Sequence, residues 1–310
     1  MSETAKRILS GLTLGGLVVA ALSLDIGVWF FTLLLVLLFS ILGVLEYYKL
    51  ADRGFEGRPI RFLGIIFTVL IVLAFYAAFL KTQVQRPQDW MPSFYLAFAN
   101  LFYPGRLIVL ELFTVFLLLA MAIHLLARPL DGTIFSVSTT ITGVLYACVT
   151  ISHAFLIFAM KYGIFYFVLF AVITIGTDTG AYFAGKYFGK HNAGLKVSPK
   201  KTYEGYFGGF AFALIISCGF LWGWKSYAFE HIRDIPMSYA EAAVLGVVFS
   251  AISIFGDLVE SALKRDAKIK DSASLIPGHG GILDLVDALL FTTPIGFYYL
   301  ATKAHFGFPV

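Results

Sequence analysis

Long apolar stretches constrain this chain more than any other feature of its sequence. A helix that crosses a bilayer needs roughly 20 mostly apolar residues, and the 310 residues contain nine stretches of that kind. They lie at about 7–23, 27–49, 60–80, 107–126, 134–156, 163–185, 205–225, 240–260 and 284–302. Charged residues make up only 14% of the chain, far fewer than in typical soluble domains. The sequence therefore predicts an all-α fold, a polytopic transmembrane helical bundle of about nine spans.

The first apolar stretch resembles a secretory signal peptide, because Lys6 and Arg7 precede it and the small residues Ala20 and Ala21 lie near its end. A second apolar stretch follows immediately, so we interpret the first as an uncleaved transmembrane helix. Residues 94–103 are aromatic but too few to span a bilayer, and we expect them to lie along its surface.

Basic residues predict the orientation of the chain, because Lys and Arg concentrate on the cytoplasmic side of membrane proteins. With a cytoplasmic N-terminus, 16 of the 23 Lys and Arg residues fall on that side and seven on the other. These cations lie between apolar stretches rather than along one soluble face, so the net charge of +4 does not indicate nucleic-acid binding. We expect an integral membrane protein of a bacterial inner membrane, with its active site in the cytoplasm.

The polar chemistry is concentrated in the C-terminal half of the chain. Two loops rich in charged residues, 186–204 and 261–283, lie between the last four predicted spans, whereas the first five spans carry almost no clustered polar residues. We therefore predict N-terminal transmembrane helices at 1–133 and a catalytic transmembrane region at 134–310. The active site should lie at the cytoplasmic end of the C-terminal helices.

The first candidate site begins at the end of the eighth predicted span. Asp257, Ser261 and Lys264 are spaced so that they share one face of a helix, with Glu260 beside them. Charges at a helix end can simply extend into water, which is the simpler interpretation for Arg265 or Lys268 alone. A carboxylate at the end of an apolar span is costly without a partner, so we interpret Asp257 as functional.

A glycine-rich turn, Pro277-Gly278-His279-Gly280-Gly281, lies at the end of the charged loop 261–283. Its glycines would let backbone N–H groups approach a phosphate closely, although a plain helix-breaking loop is an equal alternative. Asp284 and Asp287 then lie three residues apart in the first turn of the last span. Such paired carboxylates suit Mg²⁺ that carries substrate phosphates, and the competing interpretation is N-terminal capping of that helix.

The second candidate site is the block 178–209. Its loop contains Ser198, Lys200, Lys201 and Thr202, cationic and hydroxyl groups suited to a triphosphate, although a basic loop that only sets topology is an alternative. Glu204 could orient the helix that follows the loop, and the glycines of that helix permit close packing against another helix. Asp178 lies inside the sixth span, where an ionisable group suggests function. Four other isolated polar residues in apolar stretches are interpreted as helix-to-helix hydrogen bonds or interfacial groups: Glu46, Glu111, His124 and His153.

These motifs resemble the signature of the phosphatidate cytidylyltransferases, also called CDP-diacylglycerol synthases. The positions that match are Ser261, Lys264, Arg265, Lys270, Asp271, Pro277, His279, Gly280, Gly281, Asp284 and Asp287. The block 178–209 also resembles the second conserved region of that family. One position departs from the pattern: the family has Arg between the two aspartates, where this chain has Leu285. That difference puts full catalytic competence in question, because Leu cannot replace the donors of a guanidinium.

The resemblance implies that phosphatidate in the bilayer and CTP react to give CDP-diacylglycerol and pyrophosphate. It implies Mg²⁺ as cofactor, with a second cation as an option, held by Asp257, Asp284 and Asp287. It implies catalytic roles for Asp257, Lys264 and Asp284. The substrate-binding residues that it implies are Ser198, Lys200, Lys201, Thr202, Ser261, Arg265, His279, Gly280 and Gly281. A homodimer is one candidate for the assembly.

Three rival functions stay open at this point. A related enzyme could use CTP on an isoprenoid lipid, and a paralogue weakened by Leu285 could have a regulatory role. A transporter or channel could use Asp178 and Asp257 in an ion path, but such proteins carry charges at mid-membrane on several facing helices. Here the charges cluster at one end of the predicted spans.

Overall fold

A computed structural model describes residues 29–54, 57–84, 93–105, 107–227, 234–273, 276 and 280–309, with five positions between 13 and 20. The first predicted span, 7–23, therefore lies mostly outside the described residues. In the described part the chain forms nine helices. They are α1 (Phe30–Leu50), α2 (Arg61–Val84), α3 (Ser93–Phe102), α4 (Ile108–Ala127), α5 (Thr133–Phe158), α6 (Gly163–Phe188), α7 (Tyr203–Tyr227), α8 (Tyr239–Asp266) and α9 (Ile282–His305).

Eight of these helices are long and apolar enough to cross a membrane, and each coincides with a span predicted from the sequence. The ninth, α3, has only ten residues, as its short apolar stretch predicted. A π-helical turn at Leu145–Val149 interrupts α5. The polytopic helical fold is therefore confirmed for the described part of the chain, whereas the orientation and the surface position of α3 stay predictions.

The chain divides into two compact units, and each contains a different part of the C-terminal motifs. Unit 1 consists of Met1–Ala159 and Ala267–Val286, and unit 2 of Met160–Asp266 and Asp287–Val310. Unit 1 thus contains α1 to α5, the loop after α8 and the first turn of α9. Unit 2 contains α6 to α8 and the rest of α9. The functional division predicted at residues 133 and 134 is a separate matter and stays a prediction.

Close packing around Tyr48 forms the centre of unit 1. The Tyr48 hydroxyl donates to the carbonyl oxygen of Thr140 at 2.7 Å. Its ring lies against Gly64 and Gly143, where a Cβ atom would collide with it. The Thr140 hydroxyl oxygen in turn accepts the Ile60 N–H at 2.7 Å, so a buried donor before α2 has an acceptor. These bonds tie α1, α2 and α5 together.

Small residues bring the helices of unit 2 close to one another. An added Cβ on Gly208 would lie 2.1 Å from the Cβ of Ala184, and one on Gly209 would lie 3.0 Å from the Thr177 carbonyl oxygen. Gly205 meets the Ala181 carbonyl oxygen in the same way, at 3.1 Å. The packing role predicted for the α7 glycines is thereby confirmed, because any larger side chain would push α6 and α7 apart.

Candidate active site

A loop in unit 1 is held together by the carboxylate of Asp284. Its Oδ2 atom accepts hydrogen bonds from the Ser272 N–H at 2.8 Å, the Ser272 hydroxyl at 2.7 Å and the Gly281 N–H at 2.8 Å. Ile276 and Gly280 are joined by two backbone hydrogen bonds of 2.8 and 3.1 Å. Gly280 has a φ of 93°, a left-handed conformation that favours glycine. Pro277, Gly278 and His279 lie outside the described residues.

Glu46 on α1 caps the N-terminus of α9 in the same unit. Its Oε1 atom accepts the Ile282 N–H at 2.9 Å, and its Oε2 atom accepts the Leu283 N–H and the Ser272 hydroxyl, each at 2.8 Å. The first N–H groups of a helix have no acceptor within that helix. Glu46 is 5% exposed and so provides buried donors with a buried acceptor. The interpretation of Glu46 as a helix-to-helix hydrogen bond is confirmed.

An ion pair between Lys201 and Asp257 forms the centre of the second group, which lies in unit 2. Lys201 belongs to the loop before α7, and Asp257 lies in the last third of α8. Both side chains are half-buried, at 29% and 27% exposure. The ammonium also lies 5.8 Å from the ring centroid of Tyr206. A cation of the predicted nucleotide loop is thus joined to a predicted metal ligand.

Two more carboxylates lie near Asp257. Asp178 on α6 and Asp287 on α9 both approach it closely enough for their charges to interact, and they interact with each other. Gly256 allows this approach, because a Cβ there would lie 2.8 Å from the Asp287 carbonyl oxygen. Negative charges that interact in this way are unfavourable without a nearby cation, and the ammonium of Lys201, paired with Asp257, supplies one.

The end of α8 carries a second ion pair and a contact to the basic loop. Lys264 pairs with the fully buried carboxylate of Glu260, one helical turn earlier. The charge of Lys264 also acts on Asp287. Arg265 donates from Nε to the Val197 carbonyl oxygen at 3.3 Å. The cations of α8 therefore neutralise carboxylates and help to fix the loop.

The loop between α6 and α7 is ordered by its own hydrogen bonds. The Asn192 side-chain amide donates to the Pro199 carbonyl oxygen at 2.6 Å. The Ala193 N–H donates to the Lys201 carbonyl oxygen at 2.9 Å. Glu204 accepts from the N–H and the ring of His191, and the Thr202 hydroxyl accepts the Gly205 N–H at 3.1 Å as the cap of α7. These bonds place Lys201 at a defined point.

An apolar groove of about 330 Å³ lies between α7 and α8, at the end of the helices that carries the Lys201–Asp257 pair. Its walls are Leu195, Tyr203, Tyr206, Phe207, Phe210, Ala251, Ile254, Phe255 and Leu258. Phe207 and Phe255 are 72% and 63% exposed. Tyr206 belongs both to the groove and to the surroundings of Lys201, so apolar and charged surfaces meet there.

Comparison with known proteins identifies the family to which these groups belong. The model of the cytidylyltransferase family matches residues 5–303, nearly the whole chain. The chain belongs to the cytidylyltransferase family. The phosphatidate cytidylyltransferase of Bacillus subtilis is 39% identical over 141 residues, which cover 46% of this chain and 49% of that protein.

Two further relatives carry the same name. The phosphatidate cytidylyltransferase of Haemophilus influenzae is 37% identical over 142 residues, 44% of this chain and 46% of the relative. That of Synechocystis sp. is 42% identical over 123 residues, 40% of this chain and 39% of the relative. The matched segments thus span about half the length of these relatives or less. The resemblance to the family signature is confirmed.

The structure places the predicted site residues of this family member in different surroundings. In unit 2 it brings together Asp257, Lys201 and Asp287, and it places Lys264 and Arg265 nearby. Ser261 lies one turn beyond Asp257 on α8, and Lys200 is exposed. Ser198 forms a turn in which its carbonyl oxygen accepts the Lys201 N–H at 3.2 Å. The functional roles of these residues stay predictions.

The two described glycines of the Gly-rich motif, Gly280 and Gly281, donate their N–H groups to acceptors within the protein. The Gly280 N–H donates to Ile276, and the Gly281 N–H donates to Asp284. Phosphate binding through these groups, which stays a prediction, would require those bonds to be exchanged. The capping alternative for Asp284 has direct support, because its carboxylate accepts donors from its own loop. Ligation of a metal by the same carboxylate remains a prediction.

The donor chemistry in unit 2 fits a magnesium ion. Among the residues that the structure describes, no group of three or more His, Cys, Asp or Glu side chains is arranged to hold a metal ion. Mg²⁺ rarely uses such an all-protein cage, since it binds through one or two carboxylates together with substrate phosphates and water. Asp257 and Asp287 could supply those carboxylates, because their charges lie close together beside a lysine.

Sequence reasoning missed the structural importance of two carboxylates. For Glu46 the sequence predicts only a helix-to-helix hydrogen bond or an interfacial group, with no partner named, and for Glu260 only a place beside the Asp257 face. The one available signal for both was an ionisable residue within or at the end of an apolar stretch, which is costly without a partner. That signal does not name the partner, which lies 236 residues away for the Ile282 bond of Glu46.

Proposed function

We propose that this chain is a phosphatidate cytidylyltransferase. A phosphate oxygen of phosphatidate forms a bond to the α-phosphorus of CTP, and the bond between that phosphorus and the bridging oxygen of the β-phosphate breaks. The products are CDP-diacylglycerol and pyrophosphate. Family membership and the names of three relatives support this reaction. The observation that carries it is the Lys201–Asp257 pair, which joins the loop between α6 and α7 to α8, the helix on which the family signature begins.

The chain's own residues would align the reactants and balance their charge. Phosphoryl transfer of this kind depends mainly on positioning and on electrostatic stabilisation. In unit 2, Asp257 and Asp287 would hold Mg²⁺, which when bound neutralises phosphate charge. For Asp284, in unit 1, the role of metal ligand is what the family resemblance implies. Lys201 would exchange its contact with Asp257 for a phosphate oxygen of CTP. Lys264 would offset part of the negative charge around Asp287, since its charge acts on that carboxylate.

The apolar groove supports a lipid as the acceptor. All of its walls except Leu195 belong to two helices that are long and apolar enough to cross a membrane, so acyl chains could enter it from the bilayer. Its Tyr206 end adjoins Lys201, where an anionic head group would find a cation. CTP would approach from the cytoplasm. An inner-membrane location with a cytoplasmic active site is part of this proposal and rests on the distribution of Lys and Arg.

The test is an assay of purified protein with CTP labelled at either the α- or the γ-phosphorus. We expect the α label to enter the lipid fraction with phosphatidate and Mg²⁺, and the γ label to leave in pyrophosphate. Polyprenyl phosphate and polyprenol serve as alternative acceptors. Transfer of the γ label to a lipid, or a preference for an isoprenoid acceptor, would contradict the proposal.

A further inference from the structure

Glu46 lies at the junction of three hydrogen bonds in unit 1. The backbone N–H groups of Ile282 and Leu283 and the hydroxyl of Ser272 all donate to its carboxylate, at 2.8 to 2.9 Å. The packing around it is tight: an added Cβ on Gly281 would lie 2.4 Å from Glu46 Oε2 and 2.1 Å from Ser272 Oγ. The Glu46 side chain and the backbone at Gly281 therefore cannot shift independently of each other.

These bonds fix the first turn of α9. A carboxylate is the strongest acceptor that the chain can offer to N–H groups, and its charge interacts favourably with the positive end of the helix dipole. Because Glu46 is 5% exposed, water cannot readily replace it. If Glu46 were lost, two buried N–H groups at the start of α9 would lose their acceptor.

Ser272 connects Glu46 to Asp284. Its hydroxyl oxygen lies 2.8 Å from Glu46 Oε2 and 2.7 Å from Asp284 Oδ2. Ser272 is fully buried, and its N–H also donates to Asp284. A hydroxyl has one proton, so the two carboxylates share a single donor. The orientation of Asp284 therefore depends on where Glu46 holds Ser272 and α9.

We propose that Glu46 is a positioning residue for Asp284. It acts through Ser272 and through the first turn of α9, and it sets the direction in which the Asp284 carboxylate points. This inference rests on the proposed function, in which Asp284 is a metal ligand. Groups that orient a ligating carboxylate commonly change metal affinity or activity by about 10- to 100-fold when they are removed. Glu46, on the first described helix, would thus control a site formed by the C-terminal motifs.

The central test compares Glu46→Gln with Glu111→Gln. Glutamine has the same shape, but its amide nitrogen cannot accept the hydrogen bonds that one carboxylate oxygen accepts. Glu111 is an exposed carboxylate in the first turn of α4, so its variant makes the same chemical change without these contacts. The measurement is hydrogen–deuterium exchange in Mg²⁺-free detergent, for the peptide that contains Ile282 and Leu283. Compared with wild-type protein, exchange of this peptide should be faster in Glu46→Gln and unchanged in Glu111→Gln.

Turnover supplies the second measurement. We expect the Mg²⁺ concentration for half-maximal activity to rise roughly tenfold in Glu46→Gln, with the KM for CTP at saturating Mg²⁺ within about twofold of wild type. Ser272→Ala removes the shared hydroxyl but keeps the bonds from Glu46 to the α9 backbone. It should shift the Mg²⁺ requirement while exchange at Ile282 and Leu283 stays near the wild-type rate.

The outcomes separate this inference from the proposed function. Unchanged exchange in folded Glu46→Gln would overturn the inference, and so would faster exchange with an unchanged Mg²⁺ requirement. If Glu46→Gln does not fold, an unchanged Mg²⁺ requirement in Ser272→Ala overturns it. If wild-type protein makes no CDP-diacylglycerol, the proposed function fails, and Mg²⁺ binding to Ser272→Ala and wild-type protein, measured by calorimetry, decides the positioning role: equal affinities overturn it.

Discussion

The two compact units stabilise their carboxylates in different ways. In unit 1, Asp284 and Glu46 accept hydrogen bonds from backbone N–H groups and from the Ser272 hydroxyl. In unit 2, Asp257 and Glu260 are each paired with the ammonium group of a lysine, Lys201 and Lys264. The first arrangement uses donors that the main chain holds in place, and the second uses donors at the end of flexible side chains.

This difference suggests different tasks for the two units. A backbone N–H can leave its acceptor only if the loop itself rearranges, so the unit 1 bonds are suited to keeping a geometry. A lysine ammonium has three rotatable donors and can move from a carboxylate to a phosphate without any change in the backbone. The half-buried Lys201–Asp257 pair is therefore suited to exchanging partners when substrate binds, whereas loss of Lys264 would leave the fully buried Glu260 carboxylate unpaired.

Replacing single carboxylates tests this comparison with the largest expected effect. Asp257→Ala, Asp284→Ala and Asp287→Ala should each lower turnover at least about a hundredfold, because each removes a predicted metal ligand. Asp284→Ala should also lower the free energy of unfolding by about 3 kcal/mol, since it leaves the Ser272 and Gly281 N–H groups without an acceptor. Turnover and thermal unfolding in detergent are the measurements.

Asp257→Ala provides the contrast in the same experiment. Asp257 and Lys201 are both more than a quarter exposed, so loss of the pair should change stability by less than about 1 kcal/mol. Equal losses of stability in Asp257→Ala and Asp284→Ala would break the comparison. Near wild-type turnover of all three variants at limiting Mg²⁺ would show that the metal assignment is wrong.

The two adjacent lysines of the basic loop provide a matched pair. Lys201→Met removes the partner of Asp257 and a predicted phosphate contact, and we expect turnover to fall by about 10- to 100-fold. Lys200 is exposed, so Lys200→Met should only raise the KM for CTP by about threefold. Steady-state kinetics with varied CTP measure both effects. If the two variants behave alike, the Lys201–Asp257 pair has no special role.

Most of the fold could be predicted because each spanning helix is a local property of about 20 residues. The apolar stretches at 60–80 and 205–225, for example, became α2 and α7. The glycines of α7 could be assigned to helix packing for the same reason, since small residues at helical spacing have a local meaning. Length and composition suffice for such predictions.

The partners of the charged residues could not be predicted in the same way. Lys201 and Asp257 are 56 residues apart, and Glu46 and Ser272 are 226 residues apart. No periodicity connects positions at those separations, because the partner depends on how the helices pack. The sequence therefore identified Asp257, Lys201 and Asp284 as important but assigned Lys201 to nucleotide alone. It offered capping by Asp284 only as the alternative to metal binding, and it did not identify Ser272 as a donor.

Leu285 permits a test in which activity should increase. The family that this chain resembles carries Arg at this position. If that guanidinium contacts a phosphate or orients Asp284 and Asp287, its absence removes charge-assisted hydrogen bonds worth about 1.5–3 kcal/mol each. We expect Leu285→Arg to raise kcat/KM roughly tenfold, since 1.4 kcal/mol of recovered transition-state binding is one decade. Both proteins are measured side by side at saturating Mg²⁺. Leu285→Lys is the control, because it restores charge without the planar guanidinium.

The result for Leu285→Arg also tests whether a lysine of the loop after α8 replaces the missing guanidinium. Lys268 and Lys270 are exposed and follow α8 in the same unit as Leu285. If one of them already occupies the place of the missing guanidinium, a second cation would crowd the site and lower the rate. A well-folded Leu285→Arg protein with equal or lower activity would contradict the expected increase.

The smallest expected effect concerns the groove beside the lysine-paired carboxylates. Ala251 is one of its walls, and Ala251→Trp should fill part of the space between α7 and α8. Ala240 is exposed at the other end of α8, so Ala240→Trp makes the same change away from the groove. An acyl chain gains little by leaving lipid for an apolar groove, since both surroundings are equally apolar. The groove can therefore contribute only placement of the lipid. We expect Ala251→Trp to raise the KM for phosphatidate by about fivefold, equivalent to about 1 kcal/mol, with the KM for CTP unchanged.

Kinetics in mixed micelles at varied phosphatidate mole fraction measure this change in KM. In a second measurement, photoreactive phosphatidate should label the α7 and α8 walls of the groove in wild-type protein. If labelling avoids these walls, or if Ala240→Trp raises the KM as much as Ala251→Trp, the lipid does not approach Asp257 through this groove.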